Sequence, residues 1–248
     1  MLETIILLTG KLEQPALASA LRVHNSKLSV RPVETAADVA ALGPELLRRA
    51  RLAAFASPVV VPAKVLNQLG YGAYNFHPGS PRFPGLAPSH FAHYQQATEF
   101  GATAHVMAER VDAGAIVGVE LFRVPVNATA RRLEELAYVH LARIFWLLAK
   151  ALATQIEPLT ELPIRWGGQK SSRRLFAAMC DIPLDISKEE FDRRINAFSD
   201  NHFGIVPTIS LHGMQFQLMT TASCDLSRLG DTERPPVLAN PSKREQAA

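Results

Sequence analysis

The sequence predicts an α/β fold, a mostly parallel sheet flanked by helices, with a short C-terminal α+β elaboration. Three observations predict it. Within the first 75 residues, short Ile/Val/Leu runs alternate with Ala/Leu/Arg-rich stretches whose apolar residues fall three and four apart, the pattern of βαβ units. Six prolines and four glycines then fall between Pro58 and Pro88, a density that excludes regular structure and predicts a stiff loop. A long stretch around residues 130–152 carries one continuous apolar face, suited to cover a sheet.

Taken in order, Thr4–Leu8, Leu28–Val33 and Leu52–Ala56 read as buried strands, with helices at Pro15–His24 and Ala36–Ala50 between them. Ala63–Leu69 is a further helical turn or two, ended by Gly70 and Gly72. A strand follows at Ala73–Phe76 and leads into the rigid loop Pro78–Pro88. Ser89–Gln96 resumes a helix. Thr103–Met107 and Ile116–Val124 are strands around the turn Asp112-Ala113-Gly114. Asn127 or Thr129 caps the long helix, whose apolar positions are 133, 136, 137, 141, 144, 145, 148 and 152. Past Pro158 the character changes. Ile164–Lys170 is a turn, and Ser187–Asn201 a helix with Ser187 as cap and Glu190 at the capping-box position. Thr208–His212 and Met214–Met219 flank Gly213 as a hairpin. The expected organisation is a main domain over 1–155, an elaboration over 156–224 and a disordered tail over 225–248.

Composition excludes several classes. Two cysteines, Cys180 and Cys224, cannot staple a scaffold, and both read as structural thiols in a reducing, cytoplasmic setting. No basic leader or cleavage site precedes the first strand. No stretch reaches the ~18 uncharged apolar residues of a spanning helix; Ala137–Ala153 is broken by His140, Arg143 and Lys150. The net charge of +3 is not a nucleic-acid patch: residues 1–155 hold 15 Lys+Arg against 11 Asp+Glu, and 156–248 hold 11 against 12.

Three polar residues carry the chemistry. Asn75 and His77 lie two apart at the end of a strand, so their side chains share a face. Asp112 stands in the turn between the next two strands. An amide can donate to a developing oxyanion, a histidine can move a proton near neutral pH, and a carboxylate can orient and tune it. The pattern alone leaves open a structural account, in which Asn75 serves the turn, His77 packs in the loop and Asp112 builds the Asp-Ala-Gly turn. Other constellations are weaker. His90 and His93 on one helix face, with His105 nearby, lack a carboxylate at metal-ligand spacing, and no metal is expected. GxGxxG and GxxxxGK[ST] are absent, and Ser57 and Ser80 lack a GxSxG setting.

Asn75-Phe-His-Pro-Gly-Ser-Pro-Arg-Phe-Pro-Gly-Leu-Ala-Pro88, then Gly101-Ala-Thr-Ala-His105, then Val111-Asp-Ala-Gly114, resembles the folate-dependent formyltransferases, which act on glycinamide ribonucleotide, methionyl-tRNA or amino sugars. The resemblance spans roughly residues 4–155. It implies a Rossmann-like formyltransferase fold and transfer of a formyl group from 10-formyltetrahydrofolate to a primary amine. It assigns the oxyanion to Asn75 and protonated His77, and proton removal to Asp112, through a water. It also places the pterin against the backbone of Ser57–Pro62 and Met107–Asp112, with Ser57, Val59, Val61, Met107 and Val111 as cofactor-binding residues. Two departures stand out: the loop Gly79-Ser80-Pro81 is one residue shorter than usual, and the first strand ends without the small-Gly pattern of phosphate-binding relatives.

Substrate identity must come from residues 156–248. Their formal balance of 11 − 12 = −1 argues against tRNA capture. Phe191-Asp-Arg-Arg-Ile-Asn-Ala-Phe198 resembles a helix of amino-sugar formyltransferases. A small-molecule amine is therefore expected, a nucleotide-linked amino sugar among the candidates, with no nucleic-acid or membrane partner. Trp166, Lys170 and Arg193 are candidate substrate residues, alongside the alternative that Trp166 merely plugs a surface turn. Formyltetrahydrofolate hydrolase and a non-catalytic folate- or partner-binding relative are the other readings. An exposed Phe/Trp-bearing helix or the hairpin offers a surface for a homodimer.

Overall fold

A computed structural model of the chain describes residues 2–218. Met219 at the end of the expected hairpin, Cys224 and the tail expected at 225–248 lie outside the described residues. Six strands, β1 (Thr4–Leu8), β2 (Ser29–Val33), β3 (Ala50–Phe55), β4 (Ala73–His77), β5 (Glu99–Val106) and β6 (Ile116–Arg123), form one sheet in the order β2-β1-β3-β4-β5-β6. β2, β1, β3 and β4 run parallel, while β5 and β6 are added antiparallel. β1 and β3 are buried at every position, as strands covered on both faces must be.

The helices are α1 (Gln14–His24), α2 (Ala36–Ala40), α3 (Pro44–Arg48), α4 (Ala63–Leu66), α5 (Pro88–Tyr94), α6 (Ala130–Thr154), α7 (Arg173–Cys180) and α8 (Lys188–Phe198). The single helix expected over Ala36–Ala50 is two. Gly43 is extended (φ −74°, ψ 151°) and Pro44, which has no N–H to continue a ladder, starts the second. α6 is capped by Thr129, whose side chain accepts from the Arg132 N–H. By length and composition α6 is apolar enough to cross a membrane, although Arg143 and Lys150 interrupt its apolar run. Here its stripe Leu133, Ala137, Leu141, Ile144, Phe145, Ala149 and Leu152 is buried, with Leu141, Ile144, Phe145, Ala149 and Leu152 packed beside Phe55, Tyr74 and Phe76 of the sheet.

Arg51 ties α6 to the sheet. It is fully buried, and its guanidinium donates to Tyr71 O, Ala151 O, Leu152 O and Glu157 O at 2.8–3.1 Å. Ala151 O and Leu152 O belong to the last turn of α6, so one buried cation adds partners to a helix terminus and ties it to the sheet.

The second part of the chain is not separable from the first. α7, not anticipated from the sequence, and α8 insert Phe176, Cys180, Ala197 and Phe198 among Phe83, Phe91, Phe100, Leu133 and Ala137. Residues 2–217 therefore form one compact unit. Ser187 caps α8 by accepting from the Glu190 N–H. The Glu190 carboxylate does not complete a capping box; it accepts from Tyr94 Oη and Arg194 Nε, each at 2.7 Å. A small sheet of β7 (Asp181–Ile182), β8 (Thr208–Leu211) and β9 (Met214–Gln217) contains the expected hairpin.

Candidate functional site

The site stands where the parallel strands end and the antiparallel ones begin. β4 alternates strictly: Tyr74 and Phe76 enter the core against α6, which sends Asn75 and His77 to the opposite face. β5 does the same with Ala102 and Ala104 in the core, leaving Thr103 and His105 on the other face. The antiparallel register pairs Asn75 with His105 and His77 with Thr103, so four polar side chains share one patch of sheet. The β5–β6 connection returns Asp112 over that patch. Asp112 adopts the left-handed conformation (φ 49°), which Asp tolerates better than most residues.

The side chains meet closely. Asp112 Oδ2 accepts from the Gly85 N–H at 2.8 Å and lies 3.8 Å from His77 Nδ1. Asp112 Oδ1 is 3.2 Å from His105 Nε2 and is buried with no hydrogen-bond partner among the described residues. His105 Nε2 is also 3.1 Å from Asn75 Nδ2. His77 Nε2 donates to Phe83 O at 3.3 Å, and Thr103 Oγ1 donates to Gly79 O at 2.7 Å.

Two glycines make this geometry possible. At Gly79 a Cβ would stand 2.5 Å from His77 Nε2, so any side chain would displace the imidazole. Gly85 has φ +99° and its absent Cβ would meet Ser171 O at 2.1 Å. Only glycine turns that N–H onto Asp112 while the backbone of Ser171 passes so close.

The electrostatics follow from burial. Burial pushes the Asp112 carboxyl up, but His105, His77 and the Gly85 N–H outweigh it and hold the pKa at about 2. Burial pushes His77 down, against the attraction of Asp112, so the ring is driven toward neutral imidazole.

Asp112 separates two cavities. The first, about 80 Å³, is lined by Ser57, Val59, Val61, Met107 and Val111 together with Asn75, His105 and Asp112. All five residues expected to bind the cofactor therefore converge on two of the three expected catalytic ones. The second cavity, about 440 Å³, is lined by Asp112, Arg110, Arg165, Trp166 and Lys170. Trp166 belongs to a strap bound by backbone hydrogen bonds to the rigid loop: Gly167 N–H donates to Pro81 O, and Ser171 N–H to Pro84 O, each at 3.0 Å. Its Nε1 donates to Gly114 O at 2.9 Å, and its ring centroid lies 5.0 Å from that of His105 and 5.9 Å from that of His77. Trp166 is thus a wall of the site, not a surface plug. Lys170 Nζ donates to Val111 O at 2.7 Å.

Arg193 is not in this site. α8 buries Ala197 and Phe198, which leaves Arg193 beside Tyr94 and Glu190, facing a separate cavity with His93, Asn127 and Asp192. The three histidines weighed as metal ligands also part company. His90 is enclosed by Phe176, Phe198 and Phe203, His93 faces the separate cavity, and His105 sits on β5. Among the described residues no three His, Cys, Asp or Glu side chains are placed to hold a metal. Burial raises the Cys180 thiol to about 11, which leaves it an unreactive core residue. Sequence reasoning missed His105, Arg110 and Arg165 as site residues. A signal existed for His105: Thr103 and His105 repeat the two-residue spacing of Asn75 and His77.

Comparison with known proteins adds the family. The family model described as "Formyl transferase" matches residues 11–140, more than half of the chain. None of the curated proteins compared with the chain matches it. Among solved structures, a sugar N-formyltransferase from Shewanella is similar with a TM-score of 0.64 and 16% identity, over 89% of this chain and 98% of that one. An N-formyltransferase from Helicobacter canadensis, in complex with folinic acid and dTDP-3-aminofucose, has a TM-score of 0.61 and 15% identity over 86% and 85%. A methionyl-tRNA formyltransferase from Clostridium thermocellum has a TM-score of 0.57 and 12% identity over 88% and 91%. At these identities the likeness is one of fold.

Proposed function

The chain belongs to the formyl transferase family, and from that membership we propose that it moves a formyl group from 10-formyltetrahydrofolate to the primary amine of a small, anionic acceptor, a nucleotide-linked amino sugar. One observation carries the reading: Asp112, buried and with one carboxylate oxygen uncommitted, is the wall shared by two cavities. A group that must take a proton from one bound molecule and deliver it to another belongs at such a wall.

In this reading the folate lies in the first cavity, against Ser57, Val59, Val61, Met107 and Val111, and the amine arrives from the second. Arg110, Arg165 and Lys170 around the second cavity support an acceptor carrying phosphate. The likeness to the Helicobacter canadensis protein bound to folinic acid and dTDP-3-aminofucose supports the same pair of ligands. The amine nitrogen attacks the formyl carbon, and the carbonyl electron pair moves onto oxygen. Asn75 Nδ2–H is the donor placed to stabilise that oxygen. Asp112, ionised because its pKa is held at about 2, receives the amine proton through a water. As the carbon–N10 bond breaks, the same proton goes to N10, so one proton crosses from amine to folate. His77 faces Asp112 and lines neither cavity. It therefore works through Asp112, as a neutral ring whose Nδ1 faces the carboxylate Oδ2.

The test is turnover of 10-formyltetrahydrofolate with and without a panel of amines. Amine-dependent loss of the formyl group, with nucleotide-linked amino sugars the best acceptors, is the expected result. Amine-independent turnover would make the protein a hydrolase, and binding without turnover a non-catalytic relative.

A further inference from the structure

The scheme above leaves His105 without a task, yet it is the most tightly placed imidazole in the cleft. It is 2% exposed, and three groups crowd its two nitrogens. Nδ1 lies 2.9 Å from Val106 O. A carbonyl only accepts, so Nδ1 carries the hydrogen when the ring is neutral. Nε2 is then the lone-pair nitrogen, and it has two neighbours of opposite demand. Asn75 Nδ2, 3.1 Å away, needs an acceptor, while Asp112 Oδ1, 3.2 Å away, needs a donor. A single nitrogen cannot serve both. With its lone pair it takes the Asn75 amide, which accounts for the buried Asp112 Oδ1 that has no hydrogen bond. With a proton it becomes a donor whose nearest acceptor is that same oxygen, and the Asn75 N–H then loses its partner.

We propose that His105 is a positioning residue that alternates between these two partners. Neutral, it holds the Asn75 amide. Protonated at Nε2, it bonds Asp112 Oδ1 and releases the Asn75 N–H toward the cavity that both residues line. The proposal rests on the reading of Asn75 and Asp112 as reacting groups. It joins the two halves of the reaction: the proton that Asp112 takes from the amine is shared across the Oδ1–Nε2 contact while the formyl oxygen carries negative charge. In that interval the Asn75 N–H is free to donate to it. When the proton returns through Asp112 to N10, Nε2 recovers its lone pair and recaptures the amide. No proton remains on His105 after the cycle. The charged and titratable groups facing it are Asp112 from the β5–β6 connection and His77 from β4. Asn75 of β4, Ile116 of β6 and Trp166 of the strap are neutral.

The test needs no substrate. The full chain, labelled with nitrogen-15 in histidine and asparagine side chains, is titrated by NMR without ligand. The expected result is an Nδ1-protonated neutral tautomer for His105, followed by protonation of Nε2 with a matching shift of the Asn75 side-chain amide. Asn75→Ala should move the Nε2 resonance of the neutral ring only, and Asp112→Asn that of the protonated ring only. A neutral tautomer protonated at Nε2, an Asn75 amide that ignores the titration, or a His105 that stays neutral until acid unfolding would each overturn the proposal. Failure of the formyl-transfer reading would appear separately, as no amine-dependent turnover, and leaves these spectra unchanged.

Discussion

Two buried histidines show how this fold separates chemistry from architecture. His90, 1% exposed, and His77, 6% exposed, are both driven toward the neutral ring by burial. Their surroundings differ. His90 has both nitrogens committed, Nδ1 accepting from Ser89 Oγ and Nε2 donating to Asp200 O, each at 3.2 Å. Its faces and edges meet Phe176, Phe198 and Phe203. His77 shares its patch with Asn75, His105 and Asp112, where one nitrogen has two claimants and one carboxylate oxygen has none. A polar group with every bond made locks parts together, here α5 to the end of α8. A group with bonds left over stores the capacity to bind and exchange protons. Burial alone does not distinguish the two.

The largest expected effect lies in the polar cluster. Asp112→Asn should keep the fold, because the amide replaces the carboxylate at nearly constant volume, yet lower formyl transfer by about 10⁴-fold, the upper range for an acid–base group. Steady-state kinetics beside circular dichroism checks both halves, and near-normal activity would remove Asp112 from the mechanism. Asn75→Ala should cost roughly 10²–10³-fold in kcat, as loss of one oxyanion donor does elsewhere. In the aromatic cluster the balance should invert. Phe198→Ala leaves a cavity beside Phe91, Phe176 and His90 and should destabilise the protein by about 3–5 kcal/mol. Denaturant unfolding measures this, and turnover per folded molecule should stay unchanged. A loss of kcat with unchanged stability would erase the contrast.

The smallest expected effect is in pH. His90 and His77 have folded pKa values below the unfolded value of ~6.5. The unfolded chain therefore binds their protons first, and stability is full above pH ~6.5 and declines as pH falls below it. His90→Gln should cost about 1–3 kcal/mol at neutral pH, through lost hydrogen bonds and packing, and should flatten part of the decline below pH ~6.5. Asp112 acts lower: its pKa of about 2 lies below the unfolded ~3.9, so its contribution is present above pH ~4 and lost toward pH 2. Melting temperature against pH for the wild type and His90→Gln separates these regions, and parallel curves would count against His90 as the acid-sensitive lock.

Local pattern determined a large part of this molecule. The strand at Thr4–Leu8 needs only its apolar run, α6 only its apolar stripe and the Thr129 cap, and the hairpin only Gly213 between two strand-like segments. Asn75, His77 and Asp112 were legible for a similar reason, since a two-residue spacing at a strand end and an Asp-Ala-Gly turn are short-range facts. What stayed hidden depends on distance in sequence. Arg51 reads as a charge at the edge of a strand until carbonyls about 100 residues later arrive around it. Glu190 fits a capping box until Tyr94 and Arg194 compete for its carboxylate. Arg193 lies on the right helix but on a face turned from the site, because Phe198 and Ala197 fix that helix's rotation. The sequence by itself determined the alternation of elements, the family and the candidates Asn75, His77 and Asp112, because period, cap and turn act over a few residues. Tertiary structure alone decided that Asn75 faces His105, that Asp112 stands between two cavities and that Trp166 closes the site. Strand register and loop return bring those groups together, and no local interaction encodes either.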